Sequence, residues 1–400
     1  MSLLYTIGVR GYSFMIRVAS LWNPKAKKWI QGRKDAWAKL DSWKRSEVPV
    51  YWFHCASLGE FEQGRPLIEK LKSTEDCQIV ITFFSPSGYE IRKGYDRADL
   101  IIYLPQETQA NVNRFLAKVQ PSKVFFVKYE FWAKYIFTAK KEGAAVYSIS
   151  AVFRKDQVFF RSYSGYMLNI LKAFDHIFVQ DEKSAKLLHE FNVESTVSGD
   201  TRYDRVMENA KKVKRYPELE KFIDGKKVLV VGSSWVEDEA VMLSTINDSE
   251  FDWKVIVAPH EIDKKRVGDL VAKFDKPTVR YSEIENAVKA EVLVIDNIGM
   301  LMNVYQYADL AYVGGAFGKG LHNILEPACF GVPVIFGNSF AKFQEASDFI
   351  EYGSGFSVQS ESEFKAQFAE LKVQDKREQV LKFMNKRVGA TDLIHGKIKA

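Results

Sequence analysis

From Pro49 onward, short runs of apolar, β-branched and aromatic residues alternate with stretches of helical spacing, and each run has the length of one buried strand. The runs fall at 50–56, 78–84, 100–105, 123–129, 144–150 and 176–180, with helical segments such as Phe61 to Lys72 and Gln109 to Val119 between them. A second series follows at 227–233, 254–259, 292–296, 310–315 and 332–337. Strands that alternate with helices in this way predict parallel βαβ units. Residues 209–221 are polar, lysine-rich and contain Pro217, and they read as a linker. The expected architecture is therefore α/β, with two Rossmann-like domains at 49–208 and 209–400 whose strand-end loops face a central cleft.

The segment before Pro49 has a different pattern. Residues 1–22 are apolar and aromatic, but Arg10 and Arg17 interrupt them before the ~20 clean residues of a membrane-spanning helix. They also lack the layout of a secretory signal, so the segment is expected to be retained and the protein to stay in the cytoplasm. Lys25, Lys27, Lys28, Arg33, Lys34, Lys39, Lys44 and Arg45 follow, interleaved with Trp22, Trp29, Trp37 and Trp43. Rings at headgroup depth beside cations facing anionic lipid are the pattern of an interfacial helix. The commoner fate of such a segment is a core helix with a solvated basic face. The density of aromatics beside cations favours a membrane-surface segment at 1–48.

Composition adds exclusions. A formal charge of +6 over 400 residues is too small for general nucleic-acid binding. The three cysteines, Cys55, Cys77 and Cys329, form no CxxC pair and read as small core hydrophobes of a reducing compartment. The six histidines show no ligand spacing, and neither a metal nor a cofactor is expected.

Chemistry concentrates in the loops that follow the strands. Between 308 and 337, a strand runs into Gly314, Gly315, Gly318 and Gly320, and Asn323 to Phe330 reads as a helix opening on that loop. Glycines alone would mark only a tight turn. His322, Asn323 and Glu326 beside them suggest a sugar nucleotide. In the first half, Ser57-Leu58-Gly59-Glu60 places a carboxylate in a helix's first turn, where the helix dipole alone would favour it and where a general base would also sit. Ser85-Pro86-Ser87-Gly88 offers hydroxyls and N–H groups to an oxygen ligand, although capping alone would account for it. Glu130 is a second carboxylate on the same rim, with Trp132 beside it as packing. Ser233, Ser234, Pro259 and His260 are candidate phosphate neighbours, and Glu237-Asp238-Glu239 reads as a solvated helix face. No Asp-X-Asp is present for a metal-bridged diphosphate.

Seven blocks in one order then resemble a known family: residues 54–68 (HCASLGEFEQGRPLI), 82–88 (TFFSPSG), 104–132, 198–206 (SGDTRYDRV), 232–241 (GSSWVEDEAV), 296–315 and 320–337. Together they resemble the 3-deoxy-D-manno-oct-2-ulosonic acid (Kdo) transferases of Gram-negative lipopolysaccharide synthesis. The resemblance implies a GT-B fold with a membrane-associating N-terminus. It also implies inverting transfer of Kdo from CMP-Kdo to a lipid A precursor at the cytoplasmic face of the inner membrane, without a metal.

By the same resemblance, Glu60 falls on the catalytic base and Glu130 on the second rim carboxylate. Ser233, Ser234, Pro259, His260, Gly314, Gly315, His322, Asn323 and Glu326 fall on the donor side. Ser57, Gly59, Ser85, Ser87 and Gly88 are the acceptor-side candidates. The chain departs from the common pattern in Pro259-His260-Glu261, in the segment Lys128 to Lys134 and at Leu321. Two other readings compete: a GT-B enzyme with another nucleotide sugar, and a silent membrane-surface binding protein of the same fold.

Overall fold

The computed structural model describes residues 2–129, 131–161, 165–286 and 289–399. The chain divides into two compact units, 1–204 with 388–400, and 205–387.

The first unit opens with helices α1 (Ser2–Ala19) and α2 (Pro24–Ser42) and then builds a parallel sheet. Its strands are β1 (Val50–Cys55), β2 (Gln78–Phe83), β3 (Leu100–Tyr103), β4 (Lys123–Val127), β5 (Ala145–Ala151), β6 (His176–Val179) and β7 (Ser195–Val197), in spatial order β3-β2-β1-β4-β5-β6-β7. β1 is buried along its whole length because it lies at the sheet's centre and is covered on both faces. Its register, Cys55 opposite Phe83, ends β1 and β2 flush. The loops leaving the two strands therefore run side by side, with Ser85 N donating to Ala56 O at 2.7 Å. Helix α3 (Leu58–Thr74) follows β1, and α4 (Pro86–Arg92) follows β2.

The second unit repeats the scheme with β8 (Val228–Ser234), β9 (Lys254–Pro259), β10 (Thr278–Arg280), β11 (Val292–Val294), β12 (Leu310–Val313), β13 (Val334–Gly337) and β14 (Gly355–Val358). Their order is β10-β11-β9-β8-β12-β13-β14. The order steps away from β8 in opposite directions, through β9 on one side and β12 on the other. In doubly wound sheets that is where ligand loops diverge.

Three strands, β7, β10 and β14, lie outside the sequence expectation, and all three are sheet edges. Edge strands are short and half wet, so they lack the continuous apolar run that marks the central ones. The expected linker is also partly ordered: Pro217–Ile223 forms a helix that buries Leu219 and Phe222. The last helix, Ala390–Lys399, clusters with the first unit rather than with the residues that precede it in sequence. Its Ile394 and Ile398 enter the first unit's core, and Asp204 accepts hydrogen bonds from Gly389 N, Thr391 N and Thr391 Oγ1 at its start.

One expectation for the amino-terminal region changes. Trp29 and Trp43 are buried and Trp37 packs on the core, so of these four tryptophans only Trp22 remains at the surface. Among the described residues, no helix is long and apolar enough to cross a membrane.

Candidate functional site

In the first unit, the chain leaves β1 at Ala56 and enters α3 through Ser57, whose side chain makes no capping bond. Glu60, in the helix's first turn, bends back so that its Oε2 accepts from Ala56 N, and only 9% of the residue is exposed. A carboxylate held on a main-chain donor at a strand's C-terminal end has a fixed position. Gly59 has open space where a side chain would sit. Ser85 caps α4, its Oγ accepting from Ser87 N at 3.2 Å. Gly88 is required sterically, since a Cβ there would lie 2.3 Å from the Phe83 ring and 3.0 Å from the Ser57 carbonyl carbon. Glycine thus lets α4 close against the loop that carries Glu60. Glu130 lies outside the described residues.

Beneath this rim runs a buried hydrogen-bond chain that sequence reasoning missed. Trp132 Nε1 donates to His54 Nε2 at 3.0 Å, and His54 Nδ1 meets Thr82 Oγ1 at 2.9 Å. Thr82 Oγ1 also accepts from Trp52 Nε1 at 2.8 Å. With Nε2 accepting, His54 is a neutral imidazole with its proton on Nδ1. Trp132, expected as packing, also orients the histidine.

In the second unit the loops after β8 and β12 are tied together by Asp238. Its carboxylate accepts from Trp235 N at 2.9 Å, Gly315 N at 2.9 Å and Tyr312 Oη at 3.0 Å, and only 1% of the residue is exposed. Burial raises its pKa above the ordinary aspartate value, while these donors pull it back. The acidic run is therefore no solvated face. Only Glu237 is exposed, because Asp238 and Glu239 turn inward from the first turn of the helix Val236–Asn247. Glu239 takes Ser234 Oγ at 3.0 Å and an ion pair from Arg266, so the Ser234 hydroxyl is already committed. The sequence sign that went unread was a carboxylate three residues past the helix's N-cap, Trp235, the position that satisfies a helix's first N–H groups.

Two backbone features shape the loops of this rim. Ser233 adopts φ +53°, a conformation non-glycine residues hold only when their surroundings impose it. Gly315 has φ +96°, and a Cβ there would lie 2.2 Å from Gly320 O. Above them, Trp235, His260 and His322 form a stack, with ring centroids 4.4 Å and then 4.7 Å apart. Trp235 Nε1 donates to His322 Nε2 at 3.4 Å. Burial, and then His260 beside it, push the His322 pKa down to about 4, so it is neutral at physiological pH.

The helix expected at 323–330 shrinks to Leu325–Ala328, because Pro327 and the turn at Gly331 leave it no room to extend. Asn323 instead braces the turn, with Oδ1 accepting from Leu325 N at 3.2 Å and Nδ2 donating to Glu326 at 3.1 Å. The rim thus carries a ring stack that includes the neutral His322 imidazole, and one braced carboxylate, which suits a sugar.

Comparison with known proteins agrees with this arrangement. A family model described as "3-Deoxy-D-manno-octulosonic-acid transferase (kdotransferase)" matches residues 30–205. The 3-deoxy-D-manno-octulosonic acid transferase of Aquifex aeolicus is 26% identical over 328 residues, covering 80% of this chain and 85% of that protein. Its namesake from Chlamydophila psittaci is 27% identical over 325 residues, covering 77% of this chain and 74% of that protein. The chain is similar to the Kdo transferases, through that domain and along most of its length to these relatives.

The same similarities mark it as a glycosyltransferase. The fold has a wider kinship. A UDP-GlcNAc 2-epimerase of Neisseria meningitidis, solved with UDP-GlcNAc, superimposes with a TM-score of 0.61 at 15% identity. That match covers 88% of this chain and 99% of the epimerase. Such a likeness speaks for the GT-B-like α/β architecture alone. In this Kdo transferase relative, the first unit brings Ser57, Gly59, Glu60, Ser85, Ser87 and Gly88 to one rim. The second unit brings Ser233, Pro259, His260, Gly314, Gly315, His322, Asn323 and Glu326 to another, with Ser234 turned into the core.

Proposed function

We propose that this Kdo transferase relative transfers Kdo from CMP-Kdo to a lipid A precursor at the cytoplasmic face of the inner membrane, inverting the anomeric carbon. In this reading Glu60 removes the proton from the acceptor hydroxyl as the bond to the anomeric carbon forms, and CMP departs as a phosphomonoester. Glu130 is the second carboxylate of the acceptor rim. The donor belongs to the second unit's rim, where N–H groups near Ser233 and Gly315 receive the phosphate oxygens. His322 stays neutral there, and the Asn323–Glu326 pair meets sugar hydroxyls. Charge building on the leaving phosphate is met by main-chain dipoles rather than a metal ion.

The observation that carries the reading is the placement of Glu60, mostly buried, at the carboxyl end of the central strand and held there by Ala56 N. The exposed apolar surface of α1, with Leu21 81% and Trp22 71% exposed just beyond it, supports contact with a lipid surface.

The test is CMP release by the purified chain given CMP-Kdo and a tetraacylated lipid A precursor, with EDTA present and Glu60→Ala beside wild type. Release that requires the acceptor, survives EDTA and disappears in the variant is the expected result. A folded wild-type chain that releases no CMP would overturn the donor assignment. A variant that still turns over would remove Glu60 as base.

A further inference from the structure

The first unit holds a cavity of about 470 Å³ that the proposed chemistry does not use. It lies at the carboxyl ends of β2, β3 and β4, the same sheet edge as Glu60, and α1 and α2 close its outer side. The walls are mainly aromatic, with Tyr5, Tyr12, Trp29, Phe84, Phe131 and Trp132 among them. Among the described residues one cation lines this space.

Arg33 of α2 lines this cavity and is only 9% exposed. Its guanidinium lies 3.5 Å from the Trp29 ring centroid and 4.8 Å from that of Phe84. A guanidinium has five donors. Here one bond goes to Trp29 O at 3.4 Å and one to Phe84 O at 3.2 Å, and Nε is buried without a partner. Among the described residues no carboxylate pairs with it. The one carboxylate among the described lining residues, Glu107, is engaged elsewhere: it accepts from Tyr5 Oη at 2.7 Å and Lys134 N at 2.7 Å. Burial pushes the Arg33 pKa down to about 9 and that of Glu107 up to about 7. A buried charge without a counter-ion is costly, and an anion in the cavity would remove that cost.

The wall formed by α1 gives the direction of approach. Tyr5, Gly8, Val9 and Tyr12 face the cavity, while Ile7, Phe14, Met15 and Val18 on other faces of the helix are exposed and apolar. Spacings of three and four residues put the first set on one face and most of the second on the opposite one. One helix thus presents an apolar surface outward and an aromatic wall inward.

We propose that this cavity is a subsite for a phosphorylated acyl lipid, with phosphate oxygens on the unspent donors of Arg33 and an acyl chain along the aromatic walls. The proposal rests on the reading of the acceptor as a lipid and adds the group that recognises it. Arg33 is a binding and specificity residue. It moves no proton.

The test measures binding without turnover. Dioctanoyl phosphatidic acid, kept below its micelle-forming concentration, is titrated into the full chain by calorimetry and tryptophan fluorescence, beside dioctanoylglycerol and inorganic phosphate. The phosphorylated lipid should bind at least about tenfold more tightly than dioctanoylglycerol, from the charge-assisted bonds it adds. Arg33→Gln should erase that difference while retaining its fold. Gly8→Trp should abolish binding of both lipids, because a Cβ at Gly8 meets nothing within 4 Å and the ring can enter the cavity.

Equal affinity for the two lipids, a preference that survives Arg33→Gln, or saturation of the signal by inorganic phosphate alone would each overturn the proposal. The reading of the acceptor fails separately. If lipid binding follows this pattern while the chain releases no CMP with the lipid A precursor, the cavity stands and the proposed reaction falls.

Discussion

The two strand-end rims are built on the same doubly wound plan but hold charge in opposite ways. In the first unit a carboxylate, Glu60, points back at the main-chain N–H of Ala56, beside an aromatic cavity whose guanidinium meets no carboxylate among the described residues. In the second, the carboxylate nearest the glycine loop, Asp238, takes three donors from two loops and spends itself on structure. The imidazoles above it are neutral or exposed. The difference shows how one fold can place its carboxylates for two tasks. One at a strand end beside an open rim can serve as a base. One that ties two loops together fixes their shape.

The largest effect expected from breaking this contrast is at Glu60. Glu60→Gln keeps the size and the bond from Ala56 N but removes the base, and transfer should fall by about 10²–10⁴-fold with the melting temperature nearly unchanged. CMP release and a thermal melt, run together, check both halves.

Asp238→Ala should do the reverse and act through stability. It leaves Trp235 N, Gly315 N and the Tyr312 hydroxyl without their acceptor, at about 1–3 kcal/mol for each group that water cannot reach. Urea unfolding should show the loss, and Asp238→Asn should recover part of it. A variant as stable as wild type would mean that Asp238 does not hold the loops.

Gly315→Ala should cost less, on the order of 1–3 kcal/mol, because a positive φ and the contact with Gly320 O oppose any side chain. Donor binding should weaken with it, measurable by titration with CMP. Trp22→Ser, outside both rims, should lower affinity for anionic vesicles by about tenfold and leave transfer to a detergent-dispersed acceptor intact.

The smallest effect concerns pH. His322 has a folded pKa of about 4, depressed from the ordinary value near 6.5, so the unfolded chain takes up this proton first as pH falls. Its contribution to stability is full above about pH 6.5 and is lost progressively as pH drops toward 4. His322→Asn should therefore flatten the stability profile in that window and change nothing between pH 7 and 8. Melts across the range would show it, and an unchanged slope would mean that another group titrates there.

Much of this was legible in the chain. Eleven strands, all but one of them inside their sheets, announced themselves as apolar runs because both faces of an interior strand are covered. Gly314, Gly315 and Glu60 stood out because a glycine after a strand and a carboxylate in a first helical turn are local signals. Asp238 was read as solvated because its partners, Gly315 and Tyr312, lie more than seventy residues away in sequence and no local pattern reveals them. Trp29 and Trp43 were read as lipid-facing for the same reason: their burial depends on strands that come later in the chain.

The sequence by itself determined the doubly wound scheme and the positions where a glycine or a carboxylate was needed. These rest on periodicity and on backbone sterics, which act over a few residues. Only the tertiary structure decided which charges are buried, which hydroxyls are already spent, and that the last helix returns to the first unit. It also decided that Arg33 lies in an aromatic cavity where no carboxylate among the described residues pairs with it. Those outcomes depend on packing between segments far apart in the chain, where burial makes an unmet charge or donor costly enough to select its partner.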